Sequence, residues 1–224
     1  MKRETQTAEK PSDLKTPARK ILAALRRARP GARIELEFTT PLELLVATIL
    51  SAQCTDARTN PVTRSLFRKY RTARDYAEAR RPALEKAIRP TGFYHNKAKA
   101  LLALGRKLLS DHGGQVPDTM EALVALPGVA RKTANVLLGN AFGKAEGIVV
   151  DTHVLRVAQR LGLSKQKQPE KIERDLMAVF PRQAWIEAST QLVLHGRYIC
   201  LARAPKCSAC PVNKLCPKIG VTPL

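Results

Sequence analysis

The 224-residue sequence predicts an all-α fold. Apolar residues recur at helical spacing along almost its whole length, helix-start signals punctuate it at short intervals, and one tripeptide alone, Ile148-Val149-Val150, reads as extended. With 44% apolar residues the chain can bury a substantial core, as one large domain or two small ones.

The first helix is expected to open at Thr16-Pro17, with Ile21, Leu22 and Leu25 on one face. Thr40-Pro41-Leu42-Glu43 joins a capping box to a proline at the first helical position, and the run it starts, LELLVATIL, is apolar nearly all round. Such a helix belongs at the centre of a core. Further helices are expected at 55–70, 72–88, 95–111, 118–125, 130–141, 152–161, 169–179 and 184–196. Turn signals such as Arg89-Pro90-Thr91-Gly92 and His112-Gly113-Gly114 separate them, and no internal repeat or low-complexity tract interrupts the pattern.

Thirty-nine Lys and Arg face nineteen Asp and Glu, a formal charge of +20 on a chain that is only 26% charged. That balance describes a folded protein whose basic surface meets a polyanion, not a disordered polycation. Ten aromatic residues are too few for a protein that binds chiefly by stacking single-stranded bases. The excess is uneven: +7 in residues 1–33, +8 in 34–187 and +5 in 188–224. If the two ends pack together they form a basic lobe beside a more neutral one. No stretch approaches the roughly 18 apolar residues of a membrane span, and the N-terminus has no apolar signal region. No membrane partner and a cytoplasmic protein are therefore expected.

Two motifs carry chemistry. Leu126-Pro127-Gly128-Val129-Ala130-Arg131-Lys132 lies between two short helices; Gly128 can turn left-handed, and the helix after Ala130 aims its positive end at the same place. This is a helix-hairpin-helix phosphate grip, unless it serves only as a turn between bundle helices. Cys200, Cys207, Cys210 and Cys216 follow a C-x6-C-x2-C-x5-C spacing that suits a [4Fe–4S] cluster or a structural zinc. A single C-x-x-C knuckle favours the cluster. Cys54, after the buried helix, reads as a buried thiol without a role.

With both motifs in view the sequence resembles the endonuclease III family of DNA glycosylases, within the helix-hairpin-helix superfamily. Thr39-Thr40-Pro41-Leu42-Glu43-Leu44-Leu45, Leu50-Ser51-Ala52-Gln53-Cys54-Thr55-Asp56 and Gly92-Phe93-Tyr94-His95-Asn96-Lys97-Ala98 carry the resemblance early on. The hairpin, Val150-Asp151-Thr152-His153, His195-Gly196-Arg197-Tyr198 and the four cysteines then follow in the family's order. The resemblance implies a two-lobed protein. A six-helix barrel domain occupies 34–145, an iron–sulfur cluster domain combines 16–33 with 146–224, and 1–15 form a flexible extension.

It further implies a monomeric bifunctional glycosylase and lyase acting on oxidised pyrimidines in double-stranded DNA, in base excision repair at the nucleoid. Lys132 is the nucleophile, expected to be freed of its proton by burial, by the helix N-terminus and by Arg131. Asp151, also a natural helix N-cap, stabilises the charge that develops on the sugar. Gln53 and Phe93 fill the space left by an extruded base, with Phe93 where the family usually has leucine. Gly128, Ala130, Arg131 and Lys97 contact DNA, and the four cysteines hold the cluster. His153 is read as structural, and Ser51 either bonds near the catalytic pair or merely packs. Ala130 replaces a glycine of the family hairpin and Val124 an acidic residue. The alternatives are a glycosylase of the same fold with another damaged-base or mismatch preference, a non-catalytic DNA-binding protein, and an electron carrier.

Overall fold

A computed structural model describes residues 11–221, in which eleven α-helices and three 3-10 turns occur and no strand forms among the described residues. The chain divides into two units, one running from Ile34 to Glu146, the other joining the chain up to Arg33 to the chain from Gly147 onward. Twenty-two basic and eight acidic residues fall in the unit built from the ends, against seventeen and eleven in the other. The basic excess thus sits mainly with the ends. Among the described residues no helix is long and apolar enough to cross a membrane.

The unit from Ile34 to Glu146 holds α2 (Pro41–Ser51), α3 (Asp56–Lys69), α4 (Ala73–Ala77), α5 (Arg81–Ile88), α6 (Tyr94–His112), α7 (Met120–Val124) and α8 (Arg131–Phe142). Every residue of α2 from Leu44 to Leu50 is buried, and α2 packs against α3, α6 and α8. Its start follows the expected chemistry with one change. Thr40 Oγ1 accepts from the Glu43 N–H at 3.2 Å, but the Glu43 carboxylate reaches one residue beyond a capping box, accepting from the Thr39 N–H at 2.6 Å and its hydroxyl at 2.7 Å.

The single helix expected at 72–88 is instead two, α4 and α5. Pro82, the second residue of α5, has no N–H to give and its ring would strike the carbonyl four residues back, so the chain breaks at Arg80, which is extended (φ −66°, ψ 115°). Where α4 crosses α6 the backbones meet at Gly105. A Cβ there would lie 2.5 Å from the Ala77 nitrogen and 2.6 Å from the Ala73 carbonyl oxygen. Gly105→Ala is therefore expected to lose about 1–3 kcal/mol of stability despite its better helix propensity, read as a lower midpoint in denaturant. An unchanged or higher midpoint would contradict the close crossing.

The other unit holds α1 (Pro11–Ala28), α9 (Thr152–Arg160), α10 (Pro169–Val179) and α11 (Trp185–Tyr198) around Ile21, Leu25, Val154, Val157, Leu176 and Leu192. The first helix begins at Pro11 and not at Thr16-Pro17, so residues 11–15 are helical where an extension was expected; residues 1–10 lie outside the described residues. Pro11 is as good a first residue as Pro17, and Pro17 inside the helix forfeits only the bond to the carbonyl of Asp13. Burial of Ala18, Ile21, Leu22 and Leu25 offsets that loss. Ile148-Val149-Val150 runs without a partner strand, and the Val149 N–H is satisfied by the Ser189 hydroxyl at 2.9 Å.

Candidate functional site

Between α7 and α8 the chain turns through Leu126-Pro127-Gly128-Val129, closed by the Val129 N–H on the Leu126 carbonyl at 3.2 Å. Proline and then glycine at the two central positions, with Gly128 at φ 80°, are what a type II turn requires. Buried Leu126 and Val129 pin the turn to the core while Gly128 is exposed. Ala130 takes an extended conformation (φ −92°, ψ 167°) as N-cap of α8. The glycine it replaces is therefore not needed for backbone freedom, and no strain follows. Its methyl gives the helix no side-chain cap.

Arg131 and Lys132 are exposed in the first turn of α8, whereas Thr133, Ala134 and Asn135 turn inward. The burial expected of Lys132 is not found. Alternation around a helix explains it, because the inward positions of this amphipathic turn begin one residue later.

Asp151 caps α9, its Oδ1 accepting from the N–H groups of His153 at 2.8 Å and Val154 at 2.9 Å. The side chain is half-buried, so the carboxylate is oriented by the backbone it caps without being sealed from solvent. His153 Nδ1 lies 3.3 Å from Arg156 Nη2, and Arg156 donates to the carbonyls of Gly196 at 2.7 Å and Cys200 at 3.0 Å. His153 belongs to this brace.

Gln53 and Phe93 share a backbone peculiarity. Among the described residues four that are not glycine have positive φ, and these are two of them, at 54° and 50°. Both side chains are exposed, Phe93 to 63%, which excludes a core aromatic. Lys97, expected on DNA, is instead buried, with its Nζ donating to the carbonyls of Leu50 at 2.8 Å and Thr91 at 2.9 Å. Burial lowers its pKa from the ordinary lysine value, partly opposed by Cys54. Its place on the inner face of α6, with Ala98 and Leu101, takes it away from a phosphate contact. The Ser51 hydroxyl donates to the Thr48 carbonyl at 3.0 Å, and Cys54 is half-buried, not fully buried.

The four cysteines of the C-terminal loop line one cavity together with Arg160, His195 and Val212. Burial pushes the thiols of Cys210 and Cys216 up, and the neighbouring cysteines add to the effect. Arg160 was not singled out from sequence, yet its Nη1 lies 3.4 Å from Cys200 Sγ and donates to the Leu201 carbonyl at 2.6 Å. The Lys218 N–H donates to Cys216 Sγ at 3.3 Å. His195 Nε2 is 3.7 Å from Cys210 Sγ; burial and the positive Arg29 push its pKa down to about 4, so the ring is neutral at pH 7. His195 opens a motif that carries the family resemblance, but neither its spacing nor that of Arg160 places them at the cysteines, since α9 and α11 bring them to the loop only once folded. Among the described residues no three His, Cys, Asp or Glu side chains are gathered closely enough to hold a single metal ion.

Residues 46–182 match the HhH-GPD superfamily of base excision DNA repair proteins. The chain is 50% identical over 200 residues to endonuclease III of Synechocystis sp., covering 89% of this chain and 91% of that protein. Over 196 residues it is 41% identical to endonuclease III of Escherichia coli K12, covering 88% and 92%. Among solved structures it is similar to a trapped endonuclease III–DNA covalent intermediate, an estranged-adenine complex, with a TM-score of 0.87, 40% identity and coverage of 94% and 97%. A thermostable thymine-DNA glycosylase shares the fold at a TM-score of 0.81 and 23% identity, over 91% of this chain and 96% of that one.

Proposed function

The chain belongs to the endonuclease III family of the HhH-GPD superfamily, and on that premise we propose that it excises oxidised pyrimidines from duplex DNA and nicks the strand by β-elimination. Lys132 is the observation that carries the reading: a primary amine exposed in the first turn of α8, directly after the hairpin turn. A glycosylase that only hydrolyses the base bond has no need of an amine at that place.

In the proposed reaction the neutral Lys132 amine attacks C1′ of the extruded nucleotide, the glycosidic bond breaks, and the base leaves with its electron pair and takes up a proton. As the C1′–O4′ bond breaks, one proton of the added nitrogen passes to the ring oxygen, giving a protonated Schiff base. Removal of a C2′ proton then breaks the C3′–O bond, the phosphate leaves, and water hydrolyses the imine. The Asp151 carboxylate is proposed to favour the positive charge that develops on the sugar. The backbone at Gly128 and the positive end of α8 hold a phosphate. Exposed Gln53 and Phe93, already in disfavoured left-handed backbone, are fit to enter the stack.

Cys200, Cys207, Cys210 and Cys216 are proposed to hold a [4Fe–4S] cluster. Four thiols lining one cavity, with only one C-x-x-C pair among them, support this reading. The cluster would fix the fold of a basic loop beside Arg203, Lys206 and Lys214. Purified protein is expected to carry about four iron and four acid-labile sulfide per chain, and Cys207→Ala to lose both along with the visible absorption. One zinc and no sulfide would overturn the assignment.

A panel of end-labelled duplexes, each with one altered base, tests the substrate reading. Nicking at oxidised pyrimidines that leaves a β-eliminated 3′ end is the expected outcome. Base loss without nicking, or activity confined to mismatched or alkylated bases, would favour the other glycosylase reading. Tight binding with no product at all would point to a non-catalytic binder.

A further inference from the structure

Lys97 bonds to two separate loops at once. In the last turn of α2 the Leu50 carbonyl has lost its helical partner, because the Cys54 N–H turns to Ser51 at 2.9 Å. The Lys97 ammonium takes that carbonyl at 2.8 Å and sets a positive charge against the negative end of the helix. It also takes the Thr91 carbonyl at 2.9 Å, one residue before Gly92 (φ 70°) and two before Phe93. The backbone N–H of Lys97 donates to the Phe93 carbonyl at 3.1 Å. One residue therefore holds three carbonyls, one on the segment that leads into Gln53 and two around Phe93.

These are the two loops whose tips have left-handed backbone and exposed side chains. Left to themselves, Gln and Phe would not keep such conformations, so something must over-determine them. A buried ammonium is well suited to that task. Its bonds to carbonyl oxygens are charge-assisted, and leaving any of them unmade while buried is costly. The alternative, an ordinary surface lysine on DNA, is closed by its burial.

The geometry points to Lys97 as a positioning residue for base extrusion: by tying the end of α2 to the turn before α6, it presets the Gln53 and Phe93 loops against each other before DNA arrives. The inference rests on the reading of Gln53 and Phe93 as the residues that fill the vacated stack. Loops ordered in advance spare the extrusion step the entropy of ordering them. The effect should therefore be greatest for a substrate that must be unstacked, and smallest for an abasic site, which has no base to unstack.

The test uses Lys97→Met, which keeps an unbranched apolar stem and removes the ammonium. Single-turnover excision of an oxidised pyrimidine is compared with nicking of a preformed abasic duplex, each per active molecule as titrated by borohydride trapping on abasic DNA. Excision is expected to fall about tenfold or more while abasic nicking falls less than about threefold, and Lys97→Arg is expected to recover most of the loss. In a Gln53→Ala, Phe93→Ala background, Lys97→Met should change excision by less than about twofold, because the residues it acts through are gone. Parallel loss of excision and nicking, or a full additional loss in that background, would overturn the proposal. If Lys97→Met does not fold, Lys97→Gln takes its place under the same criteria. Wild-type protein that neither excises nor is trapped would sink the functional reading and this inference with it; wild-type activity with an indifferent Lys97→Met sinks this inference alone.

Discussion

Lys132→Ala is expected to fold as the wild type does and to lose strand nicking by more than about a thousandfold. The side chain is exposed in the first turn of α8, and alanine is at least as good a helix former, so stability should stay within about 0.5 kcal/mol. Loss of activity is then chemical and not a matter of folding. Abasic duplex should still bind. The slope of log affinity against log salt should scarcely change, because the amine acts at C1′ of the sugar and not on a phosphate. Circular dichroism, nicking and a salt titration on the same preparation separate these outcomes. An alanine variant that nicks abasic DNA at the wild-type rate would show that the amine belongs to another residue.

Asp151→Asn should separate the cap that Asp151 makes from the catalytic role proposed for it. Asparagine accepts from the N–H groups of His153 and Val154 much as aspartate does, so the cap on α9 survives and the melting temperature should scarcely move. The negative charge is lost. Base excision is expected to fall by about a hundredfold, as when a single electrostatic group is removed from beside a charge that develops in the transition state. Asp151→Ala should show the same loss of excision and, in addition, lose about 1 kcal/mol of stability with the cap. If Asp151→Asn excised normally while Asp151→Ala melted early, the carboxylate would be a cap and nothing more.

What could be read before folding and what could not differ by the range of the interaction. Local signals placed most helices: Thr40 with Glu43, Asp151 at its N-cap, and Gly128 in a turn that demands positive φ are decided within a few residues. Prolines misled where two positions competed. Pro11 starts the first helix in place of Pro17, and Pro82 breaks the stretch that periodicity alone reads as continuous.

Lys97 and Lys132 changed places in burial. The residue expected to be desolvated is exposed, and the one expected on phosphate is buried, because the fate of Lys97 is set by the Leu50 carbonyl, 47 residues away in sequence. The cysteine spacing indicated a thiolate centre, but Arg160 and His195 join it from α9 and α11. No spacing rule within the loop reaches them.

The central claim, that Lys132 carries the Schiff base, is tested most directly by reducing wild-type protein with borohydride in the presence of abasic duplex and mapping the adduct by mass spectrometry of the proteolysed complex. A deoxyribose remnant on the peptide containing Lys132, absent from Lys132→Ala, is the expected result. No covalent species, or an adduct at any other amine, would contradict it.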